Sequence, residues 1–406
     1  MARPASRTAG RFLALSLLVC AAPGGADPRT TPASSDASPE ATLVYVGSYT
    51  GAESRGIHLF RLQPQGTEVF QNVTLVPLGL AAETTNPSFL EIDVRRRLLF
   101  AVNEVNEFEG RPTGAVSAFS VDPATGRLTL LGQRPSLGKG PRHLALAREG
   151  RHLLVANSGS GSVAVLPVGA DGRLGEPTAV ARPAVPEDAD PEKRPGAEAV
   201  TLDPANRFAF VCDPAMDRLV AYRFDAETGS LSPNVPAFTA LEPGARPRRM
   251  VFRPDGRFAY VVGEGDSTVA VFAYDPLTGA LTARQTVSTV PEYFDGVNRA
   301  AEAALHPSGR YLYVSNRGHD SVALFRVDPD AGTLAWVEEQ GTGGRRPRHF
   351  GLEPSGRHLA IANLDSDTVL AARVDADNGR LKPSGIFAAV PSPACVGFLP
   401  PPEAGP

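Results

Sequence analysis

Residues 141–157 read PRHLALAREGRHLLVAN, and residues 347–363 read PRHFGLEPSGRHLAIAN. Ten positions are identical, among them the opening Pro-Arg-His, the central Gly-Arg-His and the closing Ala-Asn. Each copy is an alternating apolar run, a turn around Gly-Arg, and a second apolar run, which is the pattern of a β-hairpin. Further copies recur with a period of about fifty residues. They are NPSFLEIDVRRRLLFAVNE (86–104), PGAEAVTLDPANRFAFVCD (195–213), PRRMVFRPDGRFAYVVGE (247–264) and AEAALHPSGRYLYVSNRGHD (301–320).

A third run follows in each copy (GSVAVLPV, DRLVAYRFD, STVAVFAYD, DSVALFRVD, DTVLAARVD), and a turn such as DPATG, DPLTG or DADNG leads to a weaker fourth. Four antiparallel strands per unit of about fifty residues is the blade of a β-propeller. Six copies are complete, and the chain ends supply the seventh. TLVYVGSYT (42–50) reads as a second strand with no first strand before it, and PACVGFL (393–399) reads as a first strand with nothing after it. Paired, they close the ring and remove its free edge. The expected fold is all-β: a seven-bladed propeller of four-stranded antiparallel blades over residues 42–400, with residues 401–406 as a tail.

Composition agrees. The 406 residues include 40 glycines and 38 prolines, a turn-rich chain with few long helices. The net charge of −4 offers no basic field for nucleic acid. Arg3, Arg7 and Arg11 precede the apolar run FLALSLLVCAA (12–22) and the small residues PGGAD. This reads as a secretory signal peptide over residues 1–26, followed by a Pro/Ser/Asp-rich linker over 27–41. The run is too short to span a bilayer, so export to the periplasm or exterior is expected, with Cys20 the residue a lipid anchor would use. Cys212 and Cys395 are expected as free thiols. Neither SGSGSV (158–163), which lacks a P-loop lysine, nor DADNG (375–379), which is a hairpin turn in its sister blades, carries a phosphate or calcium site. No cofactor or metal is expected, and the oligomeric state is open.

In an antiparallel pair, the start of strand one and the end of strand two lie at the same end. The Pro-Arg-His openings and the Asn-Glu, Gly-Glu and Asn-Arg closings therefore gather on one face, near the axis. Glu104, Arg142, His143, Glu198, Arg248, Arg249, Glu264, Glu302, Arg317, His319, Arg348 and His349 are the candidates. Arginines hold carboxylates or developing oxyanions, and carboxylates and histidines move protons. Asn157 and Asn363 read first as turn formers, His58, His152, His306 and His358 as packing or surface residues, and Arg317 and His319 as loop residues free for function.

These segments, with STVPEYFDGVNRAAEAALHPSGRYLYVSNRGHDSVALF and GGRRPRHFGLEPSGRHLAIANLDSDTV, resemble the seven-bladed propeller lactonases, which include bacterial 6-phosphogluconolactonase and the fungal carboxy-cis,cis-muconate cyclase. The resemblance covers roughly residues 42–400. It implies lactone hydrolysis or formation without a metal, and places Arg248, Glu264 and Arg317 at the family's active-site Arg, Glu and Arg positions. The chain departs where the family's third blade opens with His-x-His: Gly196 and Glu198 stand there, and Arg249 stands where histidine is common. The resulting expectation is an exported hydrolase of a sugar-type or carboxylated lactone. Glu264 would be general base with Glu198 or His319 assisting, Arg248 and Arg317 would polarise the carbonyl, and Glu104, Arg142, His143, Arg249, Glu302, Arg348 and His349 would bind substrate. A propeller that binds a sugar acid or a protein segment without chemistry, and a lactone-forming cycloisomerase, are the alternatives.

Overall fold

The computed structural model describes residues 41–65, 72–185 and 194–402. The expected leader and all but the end of the linker lie outside the described residues. Seven sheets of four antiparallel strands make up the fold, each running from inner to outer strand. The first blade is built from Leu90–Asp93, Leu98–Asn103, Ala115–Val121 and Leu128–Pro135. The seventh joins the chain ends: Pro393–Leu399 pairs with Leu43–Ser48, with Val44 opposite Phe398 and Tyr45 opposite Gly397. One 3-10 turn, Leu364–Ser366, is the single helical element among the described residues.

Burial follows position in the blade. Second strands such as Leu98–Asn103 and Phe258–Gly263 are buried throughout, because a neighbouring blade covers each face. Outer strands such as Ala280–Ser288 alternate towards solvent. Apolar layers fill the gaps between blades. Phe208, Phe210, Phe272 and Tyr274 pack between the third and fourth, and Tyr313, Leu324, Leu359 and Ile361 between the fifth and sixth.

Two polar devices repeat among these layers. Tyr45, Tyr260 and Tyr313, each in a second strand, donate their hydroxyls to Gly126 O, Gly332 O and Gly379 O at 2.7, 2.9 and 2.7 Å. Those acceptors belong to the Asp-x-x-x-Gly turns of the next blade, where the glycine has φ near 70° and a side chain would be strained. The DADNG segment is therefore a hairpin turn, with Asp375 Oδ1 accepting from the Asp377 amide at 3.1 Å.

The asparagines that end second strands do something different from the expected turn-making. They reach across to the strand-four exit of the preceding blade. Asn157 Nδ2 donates to Ser136 O at 2.9 Å, Asn316 to Thr289 O at 2.6 Å and Asn363 to Thr342 O at 3.4 Å. Asn103 does the same to Thr85 O at 2.6 Å. Each satisfies a carbonyl that the sheets leave free and clasps one blade to the next. Asn316 is bonded at both ends of its amide, since its Oδ1 also accepts from Thr289 Oγ1 at 2.7 Å and Asn298 Nδ2 at 2.9 Å. Asn316→Ala is expected to lower stability by about 1–3 kcal/mol, read as a lower urea midpoint with unchanged slope. An unchanged midpoint would mean that water replaces the clasp without loss.

Candidate active site

Two backbone features, repeated from blade to blade, bring charged side chains together in one cluster. The first lies just after strand two. There the amides of Tyr49, Glu104, Ser158 and Glu264 donate to Ser392 O, Asn86 O, Gly140 O and Arg246 O at 3.0–3.1 Å. The acceptor residues all sit in the left-handed region, at φ 46°, 44°, 55° and 50°. This bent backbone fixes four mouth side chains in equivalent places. The second feature is a register shift at the start of strand one, between Pro141 and His143, Pro247 and Arg249, and Pro347 and His349. A bulge turns consecutive side chains towards one side of the sheet. Arg142 with His143, Arg248 with Arg249, and Arg348 with His349 therefore all line one pocket.

At the mouth the charges alternate. Glu104 takes the Tyr49 hydroxyl at 2.8 Å and Arg142 Nε at 2.9 Å, with Arg348 at 3.7 Å. Glu198 takes Arg142 Nη1 at 3.2 Å, Arg248 Nη1 at 2.9 Å and Ser158 Oγ at 2.8 Å. Glu264 takes Arg248 Nη1 on one oxygen at 3.1 Å, and Arg317 Nη2 lies 3.0 Å from the other. Arg299 stands 3.8 Å from that second oxygen.

These pairs set the protonation states. Burial alone would raise the Glu198 carboxyl, but Arg248 and Arg142 outweigh it and hold it at about 2. Burial also opposes charge on Glu264, and Arg248 and Arg317 again prevail, holding it below its ordinary 4.5. Arg317 carries the cost of this crowding: burial and the nearby Arg248 pull its guanidinium down to about 9.

A deeper level lies beneath. Arg249 Nε donates to Glu302 at 2.5 Å and its guanidinium lies 5.0 Å from the Phe89 ring. His349 Nδ1 accepts the Val396 amide at 3.2 Å, so its proton is on Nε2, which faces Glu302 at 3.4 Å and Cys395 Sγ at 3.6 Å. This Cys-His-Glu alignment is not a nucleophilic triad. Burial pushes the thiol up to about 12 and holds His349 neutral at about 4, and the imidazole nitrogen nearest sulfur already carries a proton. Cys212 and Cys395 are both free and buried.

Eleven of the twelve candidates meet in this pocket and the ion pairs joined to it; His319 does not. Its Nδ1 bonds Ser321 Oγ at 2.7 Å and its ring packs edge-on against Phe294 at 4.8 Å. No described contact joins it to Glu264, Arg248 or Arg317. The loop reading of this segment is also corrected: Arg317 is the last residue of the strand Tyr311–Arg317 and is buried. Four site residues escaped the sequence reading: Tyr49, Ser158, Ser88 and Phe89. The first two share the blade position of Glu104 and Glu264, and the last two that of Arg142 and His143, so the repeat register was the signal that could have found them. Among the described residues no helix is long and apolar enough to cross a membrane.

Residues 43–398 match the family described as lactonase, 7-bladed beta-propeller. The chain is 31% identical over 302 residues to a 6-phosphogluconolactonase of Bacillus subtilis (strain 168), a match covering 73% of this chain and 81% of that protein. It is 33% identical to a 6-phosphogluconolactonase of Pectobacterium carotovorum, covering 74% and 81%. Among solved structures it is similar to the periplasmic gluconolactonase PpgL of Pseudomonas aeruginosa: 34% identity, 89% of this chain, 100% of that one and a TM-score of 0.80. Fold, repeat register and these matches together show that the chain belongs to the seven-bladed β-propeller lactonase family.

Proposed function

We propose that the protein hydrolyses a sugar-type or carboxylated lactone in the axial funnel, and that it does so after export. The observation that carries this reading is the Arg248–Glu264–Arg317 cluster. One ionised carboxylate at the funnel mouth orients two guanidinium groups, each with further N–H donors. A lactone laid over the cluster has positive charge where its carbonyl oxygen becomes an oxyanion. Glu264, partly open to solvent, is placed to take a proton from the attacking water. The ring oxygen then leaves as the carbonyl reforms and is protonated to the hydroxyl of the product acid. The pairing that keeps Glu264 ionised also weakens it as a base, which fits an activated ester rather than an amide. Export rests on the arginine-flanked apolar run at the N-terminus and on the likeness to a periplasmic gluconolactonase. A phosphorylated lactone is a cytoplasmic metabolite, so a neutral or carboxylated one fits an exported enzyme better.

One observation favours a second reading. Both oxygens of Glu198, which stands where the family's third blade carries His-x-His, are held by arginines and Ser158. That leaves no free proton acceptor there, as suits a funnel that binds a sugar acid without turning it over.

Acid release is to be measured on glucono-lactone, its 6-phosphate, galactono-lactone and muconolactone, with spontaneous hydrolysis subtracted. Turnover on at least one is expected, and Glu264→Gln is expected to reduce it by about 10²–10⁴-fold. Saturable sugar-acid binding without turnover would move the assignment to the binding propeller.

The pH dependence has a definite sign. The working form of Glu264 is the carboxylate, protonated only below a value already under 4.5. The acid-side fall in kcat/KM is therefore expected below pH 4.5, and a fall centred near 6.5 would point to a histidine base instead.

A further inference from the structure

Beneath the mouth arginines lies a cavity of about 30 Å3, room for a single oxygen-sized group. Ser88 and His143 line it and are 2% and 7% exposed. Neither is bonded to the protein: Ser88 Oγ and both ring nitrogens of His143 have no hydrogen-bond partner. Buried hydroxyls and imidazoles are almost always satisfied, because leaving them unpaired forfeits their hydration for nothing. The other charged groups around the cavity are paired with one another, as the Arg142–Glu198 and Arg249–Glu302 contacts show. His143 is held from one side by stacking on Phe89, ring centres 4.2 Å apart.

The electrostatics have one sense. Burial, reinforced by the charges of Arg249 and Arg248, keeps His143 neutral far below its ordinary range. Burial disfavours charge of either sign, but the charges of Arg249 and Arg248 that oppose a proton on the imidazole favour negative charge on a neighbouring oxygen. Neutral imidazole retains one N–H, and the serine retains its O–H, so two residues with uncommitted donors line the same small cavity.

We propose that Ser88 and His143 form the oxyanion pocket of this site. The exocyclic carbonyl oxygen of the lactone enters the cavity beside Arg248, which lines it as well as the mouth cluster, and there Ser88 Oγ–H and the His143 N–H bond to it. As the water oxygen joins the carbonyl carbon, the C=O π pair moves onto that oxygen and both bonds strengthen. When the pair returns, the bond to the ring oxygen breaks and the product carboxylate leaves. The water's protons pass at the mouth, to Glu264 and the departing ring oxygen, and none passes to His143. This assignment rests on the lactone-hydrolase reading.

The test uses the full-length protein with Ser88→Ala, His143→Leu and His143→Gln. With the lactone that wild type turns over best, Ser88→Ala and His143→Leu are each expected to lower kcat by about 10–10³-fold with KM changed far less. His143→Gln, which keeps an N–H, should recover part of the loss. The whole pH profile should drop without changing shape, whereas removing a base would abolish its acid-side limb. The melting temperature of Ser88→Ala should be unchanged or higher, since the hydroxyl bonds nothing in the free protein. Turnover within twofold of wild type in both Ser88→Ala and His143→Leu would overturn the proposal, as would loss of the acid limb in His143→Leu. Gluconate binding by calorimetry, with a gluconate-soaked crystal, separates the two levels of argument. If wild type turns over no lactone, hydrolysis fails as the reading. The pocket then stands only if a gluconate carboxylate oxygen displaces water from between Ser88 and His143, and it falls if the sugar acid binds with that water undisturbed.

Discussion

Guanidinium groups can converge on one axis only if carboxylates stand between them. Four arginines at the funnel level, Arg142, Arg248, Arg317 and Arg348, would repel one another strongly once water is withdrawn. Glu104, Glu198 and Glu264 alternate with them, each touching two. Removing one partner of such a buried pair is costly, typically about 3–5 kcal/mol, because the other charge is left uncompensated. The innermost strands, the bulges that open them and the bent backbone before Glu104 and Glu264 all serve to hold this alternation in register.

Glu198 gives this member of the family its particular character. A carboxylate here binds Arg142 and Arg248 together and is itself held by Ser158. A histidine would be neutral or positive beside two arginines and could not neutralise them. Glu198 therefore supplies fixed negative charge between these two arginines.

The fold was readable from the sequence because its signal is local and repeated. Period-two alternation, a turn and a second run recur often enough that the incomplete ends could be matched to each other. The charged members of the site were readable for the same reason, since they occupy equivalent blade positions. What the sequence did not show was which charge faces which, because that depends on spacing across blades rather than along the chain. Ser88 and Phe89 were hidden inside NPSF, which shares its register with Pro-Arg-His but none of its charge. His319 misled because its partner, Phe294, comes from the long segment before the fifth blade. The asparagines looked like turn formers because their clasp reaches a carbonyl some twenty residues earlier, which no local pattern reveals.

The strand Pro393–Leu399 gives the site a dependence on chain completion. This last strand lies innermost in its blade, next to Leu43–Ser48. It is stitched to both neighbours: the Leu90 amide donates to Cys395 Sγ at 3.3 Å, and the Val396 amide to His349 at 3.2 Å. The ring is therefore closed only once Pro393–Leu399 has been made and has paired with Leu43–Ser48. Until then Leu43–Ser48, fully buried in the finished protein, presents an unpaired apolar edge open to wrong partners. A chain that lacks Pro393–Leu399 would thus leave one blade without its inner strand and keep that adhesive edge exposed.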